Sequence, residues 1–128
     1  MKKVVIVTEG EWGGMSHLKG DYDPFIQRIQ KIIENAETTN IFGKKEKSAT
    51  IELVETFKDA LAKVENGRVD VLVFISRGML SHARLLSKTN LRKIKIVLFT
   101  ELVPDDEVII VEKGPYLTRE TIQHIVLQ

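Results

Sequence analysis

Cysteine is absent from the chain, which removes disulfides, thiolate nucleophiles and cysteine-ligated zinc or iron–sulfur sites together. No apolar run exceeds a few residues, far short of the ~20 that a membrane-spanning helix needs. An excess of one charge sign is also missing. Nineteen basic against eighteen acidic residues leave a formal +1, so no overall field draws nucleic acid or an anionic membrane. A targeting segment is not expected either: Met1-Lys2-Lys3 is followed by only Val4 to Val7 before Thr8-Glu9, too short for a signal peptide. The expected compartment is the cytoplasm, with no membrane partner.

What is present is an ordinary globular composition, 43% hydrophobic and 29% charged, over 128 residues. That length is read as one α/β domain spanning 1–128. Abundant Ile, Val, Lys and Glu with few Gln lean towards a thermophile. The most informative stretch follows the first apolar run: Thr8-Glu9-Gly10-Glu11-Trp12-Gly13-Gly14-Met15-Ser16-His17-Leu18-Lys19-Gly20. It holds the only tryptophan, two carboxylates and a histidine without a repeating pattern. Loops of that length inside compact domains are commonly functional, and a plain connector is the competing reading.

Val4 to Val7 is a β-branched run suited to a parallel strand covered on both faces. Asp23-Pro24 starts a helix with Phe25, Ile29, Ile32, Ile33 and Ala36 on one face. Thr39 to Phe42 reads as a short second strand ending at Gly43, and Lys44-Lys45-Glu46-Lys47 as a solvated loop. Ser48 or Thr50 caps a second helix with Ile51, Val54, Phe57, Leu61 and Val64 inward, although Ala49 to Val54 also fits a strand. Asn66-Gly67 ends that helix in a left-handed turn. Val69 to Ile75, the most apolar run, is the central strand. Met79, Leu80, Ala83 and Leu86 line a third helix, Ile94 to Phe99 a fourth strand and Val108 to Val111 a fifth. Thr118 caps a last helix with Ile122, Ile125 and Val126 inward.

Alternating strands and helices specify a three-layer α/β/α sandwich with a mostly parallel, Rossmann-like or flavodoxin-like sheet of about five strands. Residues 100–107 leave no room for a crossover helix, so the last strand is expected as an antiparallel edge, or else it returns by a bare extended loop. Ligands of open α/β sheets gather at the carboxyl ends of the strands. That rule collects Glu9, Gly10 and Glu11, Ser76 and Arg77, Thr100, and His17 from the loop as candidate ligand-binding residues, with Lys113 beyond the fifth strand.

The glycine spacing is neither G-x-G-x-x-G nor G-x-x-x-x-G-K-[ST], and Glu9 and Glu11 repel a bare phosphate unless Mg²⁺ lies between. Three scattered histidines without H-x-x-x-H spacing give no zinc site, and Ser16-His17 is not a triad. Val4 to Gly10, a strand followed at once by Glu9-Gly10, resembles the start of Toprim domains, whose glutamate assists metal-dependent chemistry. That resemblance implies a later D-x-D pair, where this chain has Ile75-Ser76-Arg77-Gly78, so the metal site it would bring is missing. Thr100 after Ile96 to Phe99, and Lys113 before Gly114-Pro115, are similar to the threonine and lysine–proline pair of response-regulator receiver domains. The phospho-accepting aspartate would fall near Ile75, which leaves a shared fold type and no phosphorelay.

Two classes of function survive. One is a non-catalytic interaction or regulatory module that self-associates as a homodimer through Trp12, Met15, Leu102 and Val103. The alternative is a ligand-binding domain or enzyme acting on a nucleotide or other small phosphate compound at the strand ends, with Mg²⁺ as an optional partner. Neither assigns catalytic residues or a cofactor. The Lys44–Lys47 run lacks flanking aromatics, which weighs against nucleic acid.

Overall fold

A computed structural model describes residues 2–8, 24–39, 41–75, 79–88, 94–100, 108–112 and 117–128. Within them a five-stranded sheet runs in the order β4-β1-β5-β6-β7, formed by β1 (Lys2–Val7), β4 (Ala49–Val54), β5 (Val71–Phe74), β6 (Lys95–Thr100) and β7 (Ile109–Glu112). Every neighbouring pair is parallel. A two-stranded antiparallel sheet, β2 (Glu37–Thr39) and β3 (Lys45–Lys47), stands apart from it. Taken in chain order the five main strands are arranged 2-1-3-4-5, the flavodoxin-like order.

Side chains alternate across the sheet and so build two cores. Val4 and Ile6, Val71 and Val73, and Val97 and Phe99 pack with Ile26, Ile29 and Ile33 of α1 (Pro24–Glu34) and Ile122 and Val126 of α4 (Arg119–Leu127). On the other face Val5 and Val7, Leu72 and Phe74, and Ile96 and Leu98 pack with Ala60 of α2 (Phe57–Asn66) and with Ala83 and Leu86 of α3 (Leu80–Lys88). Helices therefore cover both faces, and a three-layer α/β sandwich results. Central β5 is buried at all four positions, as its unbroken apolar run requires. α1 buries Ile26 as well as the face read from its periodicity, with Phe25 and Ile32 half-buried at the margins.

Several expectations are corrected, and two open alternatives are decided. The last strand is parallel, with Val97 opposite Ile109 and Thr100 opposite Glu112. A crossover of a dozen residues is needed to hold a helix, not to span the gap. The eight steps from Thr100 to Val108 reach up to ~26 Å, against ~14 Å back along a short neighbouring strand. Ala49–Val54 is a strand, not the front of a helix. Ala49, Ile51 and Leu53 turn to the α1 face and Val54 to the α2 face, so period two prevails over the helical spacing. The cap of α2 is Thr56, whose hydroxyl accepts from the Asp59 amide at 3.1 Å, rather than Ser48 or Thr50.

The segment 37–47 is a hairpin, so the expected strand at Thr39 to Phe42 shifts to Glu37–Thr39 and the expected lysine loop contains β3. Both strands are solvent-exposed, which erases the alternation that would have marked them. Gly67 ends α2 in extended backbone (φ −149°), with its amide donating to Lys63 O at 3.0 Å. The left-handed glycine is Gly43 instead, at φ 78° in the hairpin turn.

Candidate functional site

Because all five strands are parallel, their carboxyl ends share one edge. At β1 the strand order reverses: the chain leaves β1 for α1 on one face and β4 on one side, while β5 lies on the other side and leads to α3 on the opposite face. In open α/β sheets, connections that part in this way mark the carboxyl ends of the strands as the place where ligands bind.

Register fixes the polar groups there. Val7 stands opposite Phe74 and Phe74 opposite Leu98, so Thr8, Ile75 and Phe99 are level and Thr100 is one residue beyond. Thr8 is buried, 8% exposed, and tied to the end of β4: its amide donates to Val54 O at 2.9 Å and its hydroxyl to the same oxygen at 3.2 Å. Thr100 is 5% exposed and continues the α2/α3 side of β6 after Ile96 and Leu98. Two strand spacings, about 10 Å, separate β1 from β6. By the same alternation Thr8 continues the α1/α4 side of β1 after Val4 and Ile6, so the two hydroxyls lie on opposite faces of the sheet.

Aromatic rings line the α2/α3 side of this edge. Phe57, the first residue of α2, packs on Phe74 at the end of β5 with ring centroids 6.2 Å apart. His82, in the first turn of α3, lies 4.6 Å from Phe57 at 59° between planes. Its Nδ1 is buried without a hydrogen-bond partner among the described residues. A buried imidazole nitrogen of this kind has the capacity for one hydrogen bond. The sequence carries no signal for this contact, because Phe57 and His82 are far apart in the chain and are brought together only by packing.

Of the candidate ligand-binding residues, Thr100 takes its place at the edge. Glu9, Gly10, Glu11, His17, Ser76 and Arg77 lie outside the described residues, as do Lys113 and the candidate contacts Trp12, Met15, Leu102 and Val103. Glu9 and Ser76 are the next residues in the chain after Thr8 and Ile75. Among the described residues no three His, Asp or Glu side chains gather as metal ligands.

The opposite, amino edge is held by polar contacts of structural character. Asp70 accepts from the Lys3 amide at 2.8 Å, and this bond, then Arg68 beside it, holds its carboxyl below the usual range against the opposing effect of burial. Glu52 is lowered chiefly by its 2.7 Å contact with Lys63, with Lys3 adding to the effect. Lys95 donates to Ile125 O at 2.9 Å, and burial, then the charge of Lys2, lowers its pKa. Away from that edge, Arg28 and Gln123 bond to the carbonyls of Leu117 and Ile32, joining α1 to the segment around α4. One cleft of about 560 Å³ opens at Glu65–Asp70 and Ile94, and one of about 360 Å³ between the foot of the hairpin and α4. No helix among the described residues is long and apolar enough to cross a membrane. No family model, curated protein or solved structure matches the chain.

Proposed function

We propose that the protein binds a small phosphate-containing molecule of nucleotide size at the carboxyl edge of its sheet, between the ends of β1 and β5. The observation that carries this reading is the reversal of strand order at β1, with α1 and α3 departing to opposite faces. Both helices begin at that edge, and helix starts favour anions. Thr100 supplies a hydroxyl on the α2/α3 side, where Phe57 with His82 forms an aromatic wall. In this reading Arg77 holds the anion, and Glu9 and Glu11 hold Mg²⁺ or a ligand hydroxyl. His17 and Ser76 complete the lining, and Gly10 allows close backbone approach.

A thermal-shift screen of nucleotides and inorganic phosphate, with and without Mg²⁺, tests it. A ligand at ~100 times its Kd adds about 2.7 kcal/mol and raises Tm by several degrees. Arg77→Ala is expected to abolish the shift. No stabilisation by any of these compounds, with Arg77→Ala indistinguishable from wild type, sinks the proposal.

A second reading is a self-associating interaction module, and the exposed apolar pair Ile41 and Phe42 favours it. Trp12, Met15, Leu102 and Val103 are its other contact candidates. An oligomer unchanged in Trp12→Ala removes that tryptophan from the interface.

A further inference from the structure

The hairpin at 37–47 is the described element least explained by the core. Both of its strands are exposed, and its tip carries Ile41 at 93% and Phe42 at 80% exposure. Two adjacent large apolar side chains in water mark a contact surface. The foot of the hairpin is closed by the Ser48 amide donating to Ala36 O at 3.0 Å. Beside that foot lies the 360 Å³ cleft, walled by the hairpin's own Glu37, Thr38 and Glu46 and by α4, with Ala36 and Leu127 as its apolar residues.

The strand edges indicate what meets this surface. β2 and β3 pair only with each other among the described residues, so each has an open outer edge. β3 reads Lys45-Glu46-Lys47. Antiparallel pairing of β3 with a second β3 about Glu46 would set glutamate against glutamate and lysine against lysine, which is destabilising. Lysines of this kind guard an edge against association. β2 reads Glu37-Thr38-Thr39 and has no such guard. Pairing β2 with a second β2 about Thr38 sets threonine against threonine and Glu37 against Thr39, without like charges.

That pairing is antiparallel, so the tip of each hairpin falls beside the foot of the other. Thr38 back to Ala36 spans about 7 Å, so the foot of one hairpin lies on the side towards the other's tip.

We infer that the partner is a second copy of this chain. The two β2 strands join as a four-stranded sheet, β3-β2-β2-β3, and Ile41 and Phe42 of each copy fall beside the foot of the other, towards Ala36 and Leu127. The contact is isologous and closes at two subunits. The four apolar tips cover on the order of 500 Å², less than half of a standard interface, so the dimer is reversible. This inference rests on the interaction-module reading and is independent of the carboxyl-edge site.

Sedimentation equilibrium of the full chain from about 10 μM to about 1 mM tests it. Wild type is expected to pass from monomer to dimer over that range. Thr38→Lys faces Glu46 within its own hairpin, so the hairpin is retained, but it sets two ammonium groups together at the two-fold axis. It is expected to be monomeric at low salt and to regain dimer at about 1 M salt, where charges are screened beyond ~3 Å. Phe42→Ser is expected to weaken association at least tenfold with an unchanged circular dichroism spectrum. A dimer that persists unaltered in both variants overturns the hairpin contact and leaves the interaction reading standing through another surface. A wild type that stays monomeric to about 1 mM overturns both.

Discussion

Asp70 and Thr8 hold opposite ends of the central strands through backbone groups. Asp70 receives the Lys3 amide. Removing the carboxylate strands that amide, so Asp70→Ala is expected to cost about 1–2 kcal/mol in urea unfolding near neutral pH. The pH sign follows from its lowered folded pKa. Its stabilisation is present above the unfolded value of about 3.9 and is lost as pH falls through the lower folded value. The gap between wild type and Asp70→Asn should therefore shrink steadily from about pH 6 to about pH 2; a gap that stays constant would show that the charge is not the source. Thr8→Val keeps the shape and deletes the hydroxyl bond to Val54 O, an expected loss of about 1 kcal/mol. Thr8 and Thr100 are legible in the sequence because each closes an apolar strand run. The meeting of Phe57 with His82 is not, since the two are separated in the chain and joined only by packing.

Elements with one buried face were the legible ones. α1 and α4 announce themselves by spacing, and Thr118 caps α4 as its position suggests, its hydroxyl accepting from the Thr121 amide at 3.2 Å. β1 and β5 are read directly from apolar runs buried on both sides. Where two periods coincide, the reading fails. Ile51, Val54, Phe57, Leu61 and Val64 keep helical spacing across a boundary that only the Thr56 cap marks. Thr56→Ala is expected to lower stability by about 1 kcal/mol, and Thr50→Ala, exposed within β4, by less. Equal losses in a denaturant series would contradict the assignment of the cap. The hairpin was hidden for a different reason: a two-stranded element exposed on both faces has no hydrophobic alternation to read.

At the scale of the whole molecule, the parallel β7 completes a sheet whose five carboxyl ends lie together. Sequence reasoning reached the sandwich, but not the strand order, because order depends on which strands meet and no local pattern encodes that. The leaning of the composition towards a thermophile makes a melting temperature above about 70 °C the expected outcome of calorimetry, and one within the mesophile range of about 45–65 °C would count against it. The central claim is that a phosphate-containing ligand sits at the carboxyl edge. It is tested most directly by titrating isotope-labelled protein with nucleotides and phosphate, with and without Mg²⁺, and following amide chemical shifts. Saturable shifts are expected at Thr8, Ile75, His82 and Thr100, with Glu37–Lys47 unmoved. Absence of saturable shifts at those four amides for every compound, or shifts confined to the hairpin, would contradict the claim.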